Sequence, residues 1–188
     1  VIQLSDGRLL VPAARHRWRD GKHLSPADAV FFLSDDEGLA WRMSETILPA
    51  MPDSRTGHQE PGVVELPDGR LWMYSRTDQR VQYQSHSTDR GETWTDATPT
   101  TISSPVSPAS VERIPDTDLL LMVWNDHSAI PEALAAKRTP LTLAVSTDHG
   151  VIWPQRVSLE SDPDGWYCYT ALEFVGEHLL LGYCAGDS

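Results

Sequence analysis

Apolar residues recur along the chain in paired short runs, each pair broken at its centre by turn-forming residues. The pairs read VIQLSDGRLLVPA at 1–13, VVELPDGRLWMYSR at 63–76, VERIPDTDLLLMVW at 111–124 and TALEFVGEHLLLGYC at 170–184. Asp-Gly between two strand-like runs is a strong hairpin signal, because tight primed turns need residues that tolerate positive φ. The third and fourth pairs keep the outline with Asp-Thr-Asp and Gly-Glu-His at the turn. Hairpins are therefore expected to turn near residues 6, 68, 116 and 176. Further strands are expected at Ala29–Leu33, Val81–Ser85 and Leu141–Val145. No stretch sustains helical periodicity over three turns. Glu132–Lys137 predicts one short helical turn within a loop.

Each of those further strands runs into a second repeat. SDDEGLAW (34–41), STDRGETW (87–94) and STDHGVIW (146–153) share Ser, Asp, Gly and Trp at fixed positions. The Asp carboxylate can accept N–H groups of its own turn, and the Ser hydroxyl can close the other side. The Gly supplies positive φ, and the Trp packs over the hairpin. Three equivalent copies argue for a structural part, since a single active centre needs one. Hairpin, loop, strand, turn and strand make a unit of about 50–60 residues, the pattern of a β-propeller blade. Boundaries are expected near residues 58, 105 and 162, in DSRTG, SSPVSP and SDPDG. They divide a partial propeller domain, 1–188, into blades at about 1–58, 59–105, 106–162 and 163–188.

The chain of 188 residues suits one domain with a real core. Its net charge of -12 argues against binding nucleic acid or an anionic membrane through bulk charge, while leaving room for a local basic pocket. No apolar run approaches the length of a membrane span, and no signal peptide is visible. The chain starts with Val inside an alternating run and ends directly after a strand-like run, so a fragment of a longer chain is expected. Cys168 and Cys184 lack metal-ligand spacing. A hairpin turning near Gly176 would set them roughly opposite, as a disulfide or as two buried thiols.

Ser-x-Asp-x-Gly-x-x-Trp is the Asp-box, and on these repeats the chain resembles the sialidase (neuraminidase) superfamily. The first and third boxes lack the Thr usual before the Trp, carrying Ala40 and Ile152 instead. The resemblance implies an all-β, six-bladed β-propeller of sialidase type, of which about three and a half blades lie in this chain. Asp-boxes also occur in non-enzymatic propellers, so activity must come from other residues. Exo-sialidases remove a terminal sialic acid whose anomeric carbon carries a carboxylate. Arginine holds such a group best, through bidentate charge-assisted hydrogen bonds. A carboxylate nucleophile would be repelled there, and tyrosine avoids this. With a pKa of about 10, that tyrosine needs a base within hydrogen-bond reach.

QEPGVVELPDGRLWMYSRT (59–77) resembles the segment that supplies the glutamate partner and one arginine, here Glu60 and Arg76. Independently of the resemblance, a hairpin turning at Asp68-Gly69 puts both at one end, where a surface ion pair is the plainer outcome. In KRTPLTLAVSTDHGVIW (137–153), Arg138 resembles the next arginine, which precedes the box Ser by eight positions. In WYCYTALEFVGEHLLLGYC (166–184), Tyr169 resembles the nucleophile, and Tyr167 points the same way by period two. His58, Gln59, Asp126 and His127 are candidates for lining the pocket. Asp20 resembles the acid/base aspartate in position, but only forty positions separate it from Glu60, too few for the intervening blades. The family's Phe-Arg-Ile-Pro segment, with the third arginine, is absent.

The resemblance implies retaining, exo-α-sialidase-type hydrolysis that removes terminal sialic acid from glycoconjugates. Tyr169 would attack, Glu60 take its proton, and Arg76 and Arg138 hold the substrate carboxylate. No metal or organic cofactor is expected. The expected partner is a sialylated or other acidic glycan, with the remaining blades supplied by an absent chain segment or a second chain. A secreted or periplasmic location follows from the resemblance alone. Two alternatives stand: a propeller glycosidase or lyase acting on another acidic sugar, and a non-catalytic carbohydrate- or protein-binding propeller.

Overall fold

The computed structural model describes residues 1–23 and 26–187. In chain order, β1 (Ile2–Gln3), β2 (Leu9–Arg15), β3 (Trp18–Arg19), β4 (Lys22–His23), β5 (Asp28–Ser34) and β6 (Arg42–Met43) come first. The first sheet has the order β1-β2-β5-β6, and β3 pairs with β4 as a separate small hairpin. A second sheet joins β7 (Gln59–Glu65), β8 (Leu71–Arg76), β9 (Val81–Ser87) and β10 (Thr98–Ser103) in the order β10-β9-β8-β7. A third joins β11 (Ser110–Arg113), β12 (Leu120–Trp124), β13 (Leu141–Ser146) and β14 (Gln155–Glu160) in sequence order. β15 (Gly165–Val175) and β16 (His178–Asp187) form a last antiparallel hairpin. The described residues contain no α-helix, and the short helical turn expected at 132–137 is a 3-10 turn, Glu132–Leu134.

The expected hairpin turns form where the local chemistry demands them. Gly7 and Gly69 take φ of 94° and 82°, and each N–H closes its turn onto the carbonyl of Leu4 or Leu66. The β3–β4 hairpin was not expected from the apolar pattern, because only two residues pair on each side. Its Asp20-Gly21 turn has positive φ at both centres, as a primed turn needs.

The three Asp-boxes fold alike. Ser34, Ser87 and Ser146 donate through Oγ to Asp36, Asp89 and Asp148, and accept the N–H of Gly38, Gly91 and Gly150. Each Asp also accepts the N–H four residues on, and each Trp donates from Nε1 to its box Gly carbonyl. At Asp36 the Ala40 N–H lowers the carboxyl pKa most. At Asp89 and Asp148 burial pushes upward, but the turn's hydrogen bonds outweigh it, so both also titrate below the ordinary range.

The chain divides into two compact units, residues 1–79 with 83–99 and residues 80–82 with 100–188. In the first, Leu10, Phe31, Leu33, Leu71 and Met73 pack with Trp94, whose ring stacks on Phe31 at 4.0 Å. In the second, Leu121, Val123, Leu141 and Tyr167 form a core against which the alternate residues Leu172, Phe174, Leu179 and Leu181 of the last hairpin pack. Burying each such side chain contributes about 1.5–3 kcal/mol. The inner strand β12 is buried at every position, which explains its continuous LLMVW run.

Candidate functional site

In the first unit, β7 begins with a bulge. Its pairing with β8 passes from Gln59↔Arg76 to Gly62↔Tyr74, so Glu60 and Pro61 together oppose one residue. Glu60 has φ of 46° and an exposed side chain. Both its carboxylate oxygens accept from Arg76 Nη1, at 3.0 and 2.9 Å. Arg76 is largely buried, and its Nε has no hydrogen-bond partner among the described residues. The ion pair allowed by the hairpin is thus formed.

His58 is a correction: it lines no pocket, being fully buried beneath the bulge. Its N–H donates to the Ala27 carbonyl at 2.8 Å, and its Nδ1 lies 2.8 Å from Ser75 Oγ. Burial pulls its pKa down, opposed by the Pro49 carbonyl and Asp28. Gln59 is half-buried and sits opposite Arg76. The loop before His58 is tied to Asp78, which accepts from Ser54 Oγ and the Arg55 N–H at 2.5 and 2.9 Å. Burial would raise the Asp78 carboxyl, but these bonds and one from Gln79 hold it well below the usual range.

In the second unit, Arg138 precedes β13. It is only 8% exposed. Its guanidinium carbon lies 4.7 Å from the Trp166 ring centroid and 5.4 Å from that of Tyr169. Every other arginine with a described side chain has a carboxylate within ion-pair distance, and Arg138 has none among the described residues. A buried charge without a counter-charge is costly, and an arriving anion relieves that cost. Tyr169 is 51% exposed, with φ of 54°, in a bulge where pairing passes from Cys168↔Cys184 to Ala171↔Gly182. The two cysteines are therefore direct cross-strand partners, and both are free thiols.

Tyr167 is a second correction. The bulge breaks the period-two alternation, so Tyr167 does not share the outlook of Tyr169. It is buried in the core, its ring edge-on to Tyr183. Asp126 accepts from Arg156 at 2.7 Å and from the Ser128 N–H at 3.0 Å, and with Trp124, Trp153 and Arg156 it lines a cavity of the second unit. His127 Nε2 lies 3.2 Å from the Thr139 carbonyl. Asp20 is exposed at the tip of its small hairpin. The structure thus brings Glu60 together with Arg76, and Arg138 together with Tyr169. Sequence reasoning missed Trp166 and Asn125. The aromatic density of WYCY was the available signal for Trp166, and Asn125 had none. Among the described residues, no group of three or more His, Cys, Asp or Glu could hold a metal ion.

The model of the BNR repeat-like domain family matches residues 1–179. An anhydrosialidase from Macrobdella decora is 38% identical over 95 residues, covering 50% of this chain and 11% of that protein. A sialidase from Micromonospora viridifaciens is 31% identical over 136 residues, covering 67% of this chain and 19% of that protein. Among solved structures, the NanB sialidase of Streptococcus pneumoniae superimposes with a TM-score of 0.72 at 19% identity, over 100% of this chain and 27% of that one. The Trypanosoma rangeli sialidase does so with a TM-score of 0.70 at 18% identity, over 97% and 28%. These likenesses show the fold, that of the sialidase β-propellers. The chain spans less than a third of each of these proteins.

Proposed function

The chain belongs to the BNR repeat-like domain family, and from that membership we propose that it carries part of the active site of a sialidase-type retaining glycoside hydrolase. The observation that carries the proposal is Arg138, a buried guanidinium with two aromatic faces and no carboxylate, stacked on the exposed phenol ring of Tyr169. That pairing sets an anion receptor beside a nucleophile, as hydrolysis of a sugar acid requires.

In this reading the substrate carboxylate is held by Arg138 and Arg76. Glu60 takes the phenolic proton of Tyr169, whose oxygen bonds to the anomeric carbon as the bond to the leaving oxygen breaks. An acid outside the described residues protonates that leaving oxygen. It then removes a proton from the water that displaces Tyr169, and Glu60 returns the phenolic proton. The mechanism requires both halves to face one cavity. It also requires Glu60 to exchange its contact with Arg76 for one with Tyr169, which the incoming carboxylate favours by competing for Arg76. Three four-stranded sheets and one hairpin do not close a ring, so the reading includes further blades, with the third arginine and the acid, from additional chain.

Turnover of a fluorogenic sialoside by the full-length protein tests this, with Tyr169→Phe as the informative variant. Loss of about 10²–10⁴-fold in kcat is expected. Binding of a sialic-acid analogue without turnover would replace the enzyme reading with a carbohydrate-binding propeller. Turnover of a uronide in place of the sialoside would move the reading to another acidic sugar.

A further inference from the structure

Asn125 lies one residue beyond β12 and is 1% exposed. Its Nδ2 is within hydrogen-bond distance of three main-chain carbonyls, those of Arg138 at 2.8 Å and of Pro140 and Tyr167 at 3.1 Å each. The Arg138 carbonyl also accepts the Tyr167 N–H at 3.0 Å. One buried amide therefore joins the backbone of the residue that carries the unpaired guanidinium to the strand that carries Tyr169. The orientation is dictated by its surroundings: the reversed amide would set an oxygen against three carbonyl oxygens. Asn125 Oδ1 has no partner among the described residues, so the contacts seen hold the side chain from its nitrogen end.

The residues on either side of Arg138 are tied to the turn before β15, Lys137 donating from Nζ to the Pro163 carbonyl at 2.9 Å and Thr139 from Oγ1 to the Asp162 carbonyl at 2.8 Å. Arg138 itself makes no ion pair among the described residues, and it follows a loop, residues 126–137, whose only regular element is a single 3-10 turn. Its guanidinium finds its place through the backbone tether and the two rings it touches. We propose that Asn125 is a positioning residue for the anion-binding half-site, setting Arg138 against Trp166 and Tyr169. The inference deepens the sialidase reading and rests on it for its functional consequence, but the tether itself is measurable without any sugar.

The first experiment is mass-spectrometric mapping of phenylglyoxal modification at Arg138 in the full-length protein and in Asn125→Asp and Asn125→Ser. The Asp variant turns the donor into an acceptor facing three acceptors. The Ser variant keeps one donor but is too short to span them, and carries the test where the Asp variant does not fold. Leu48→Val, in the core of the first unit, controls for general destabilisation. Arg138 is expected to react about tenfold faster in the Asn125 variants, at temperatures where circular dichroism shows them folded, and at the wild-type rate in Leu48→Val. A rate unchanged by the Asn125 substitutions, or raised equally by Leu48→Val, overturns the proposal. The second experiment measures KM and kcat with a fluorogenic sialoside. A rise in KM of about tenfold or more with a smaller change in kcat is expected for the Asn125 variants, since a holding group is displaced. A wild-type protein without turnover or analogue binding would sink the sialidase reading, leaving the tether to stand or fall on the modification rates.

Discussion

Glu60 and Tyr169 occupy the same local geometry in two different hairpins. Each sits at an extra residue in the first strand of its pair, where three steps on one strand match two on the other: 59 to 62 against 76 to 74, and 168 to 171 against 184 to 182. Each has positive φ, 46° and 54°, and each presents an exposed side chain. A bulge re-aims a side chain, and a non-glycine residue in the left-handed region costs roughly 1–2 kcal/mol.

That geometry predicts an inverted glycine preference. In a regular strand Gly is less stable than Ala by roughly 0.5–1 kcal/mol. At positions 60 and 169 the order reverses, with Glu60→Gly and Tyr169→Gly each more stable than the corresponding Ala variant by about 1 kcal/mol. Urea unfolding of the four variants measures it. Ala variants as stable as the Gly variants would show that neither backbone is left-handed.

The architecture was legible in the sequence because its signals are local. Asp6-Gly7 and Asp68-Gly69 specify their turns within four residues, and each Asp-box carries its own hydrogen-bond set. The placing of Glu60 beside Arg76 was legible for the same reason, since one hairpin register decides it. The facing of Tyr167 was not. Alternation holds only in an unbroken strand, and nothing in WYCYTAL announces that Tyr169 takes positive φ. His58 reads as a polar residue next to a candidate catalytic group, yet the approach of the chain to Ala27 buries it. Asp126 reads as a candidate for lining the pocket, and its ion pair with Arg156, thirty positions away, has no local signal.

Acid should loosen the first unit through Glu92. Its carboxylate accepts from Arg42 at 2.5 and 2.7 Å and from Arg8 at 2.8 Å. The Arg42 hydrogen bonds are the largest reason its pKa falls from 4.5 to about 2. The folded value lies below the unfolded one, so the stabilisation is fully present above about 4.5 and is lost as pH falls towards 2. Glu92→Gln is expected to be less stable than wild type by about 1 kcal/mol at pH 7, the screened size for a partly exposed network, and to converge with it near pH 2. Parallel denaturant curves across that range would refute this if the gap did not close.

The three Asp-boxes should differ in worth despite their shared bonds. Asp89 also accepts from Thr93 Oγ1, and its Trp94 is buried against Phe31. The first box has Ala40 in place of that Thr, and its Trp41 is 43% exposed. Asp89→Ala is expected to cost about 2–3 kcal/mol and Asp36→Ala about 1 kcal/mol. Thermal unfolding compares them directly, and equal shifts would mean that the extra hydroxyl and the buried ring add nothing.

Cys168 and Cys184 should be convertible to an intrachain disulfide. Direct cross-strand partners bring Cα atoms within the range a disulfide spans. Cys184 is exposed and Cys168 buried, so a thiol oxidant such as diamide meets Cys184 first and Cys168 then resolves the adduct. The product has lost two hydrogens by intact mass and shows no titratable thiol. Oxidation that yields only linked dimers would place the two sulfurs on unshared faces.

Gly57 and Gly7 test whether space or backbone angle limits the loop that carries His58 and Glu60. Both have positive φ, 66° and 94°. A Cβ on Gly7 would meet nothing within 4 Å, so Gly7→Ala should cost only the turn strain, about 1 kcal/mol. A Cβ on Gly57 would lie 2.2 Å from the Ala27 carbonyl oxygen and 2.5 Å from its nitrogen. Backbone cannot rotate aside as a side chain can, so Gly57→Ala must break the bridge between Ala27 and Gly57 and displace the following bulge. Its cost is expected to exceed about 3 kcal/mol, in the range of severe core disruption. Urea unfolding of the two variants decides the matter: equal losses would mean that the chain does not press against Ala27 at Gly57.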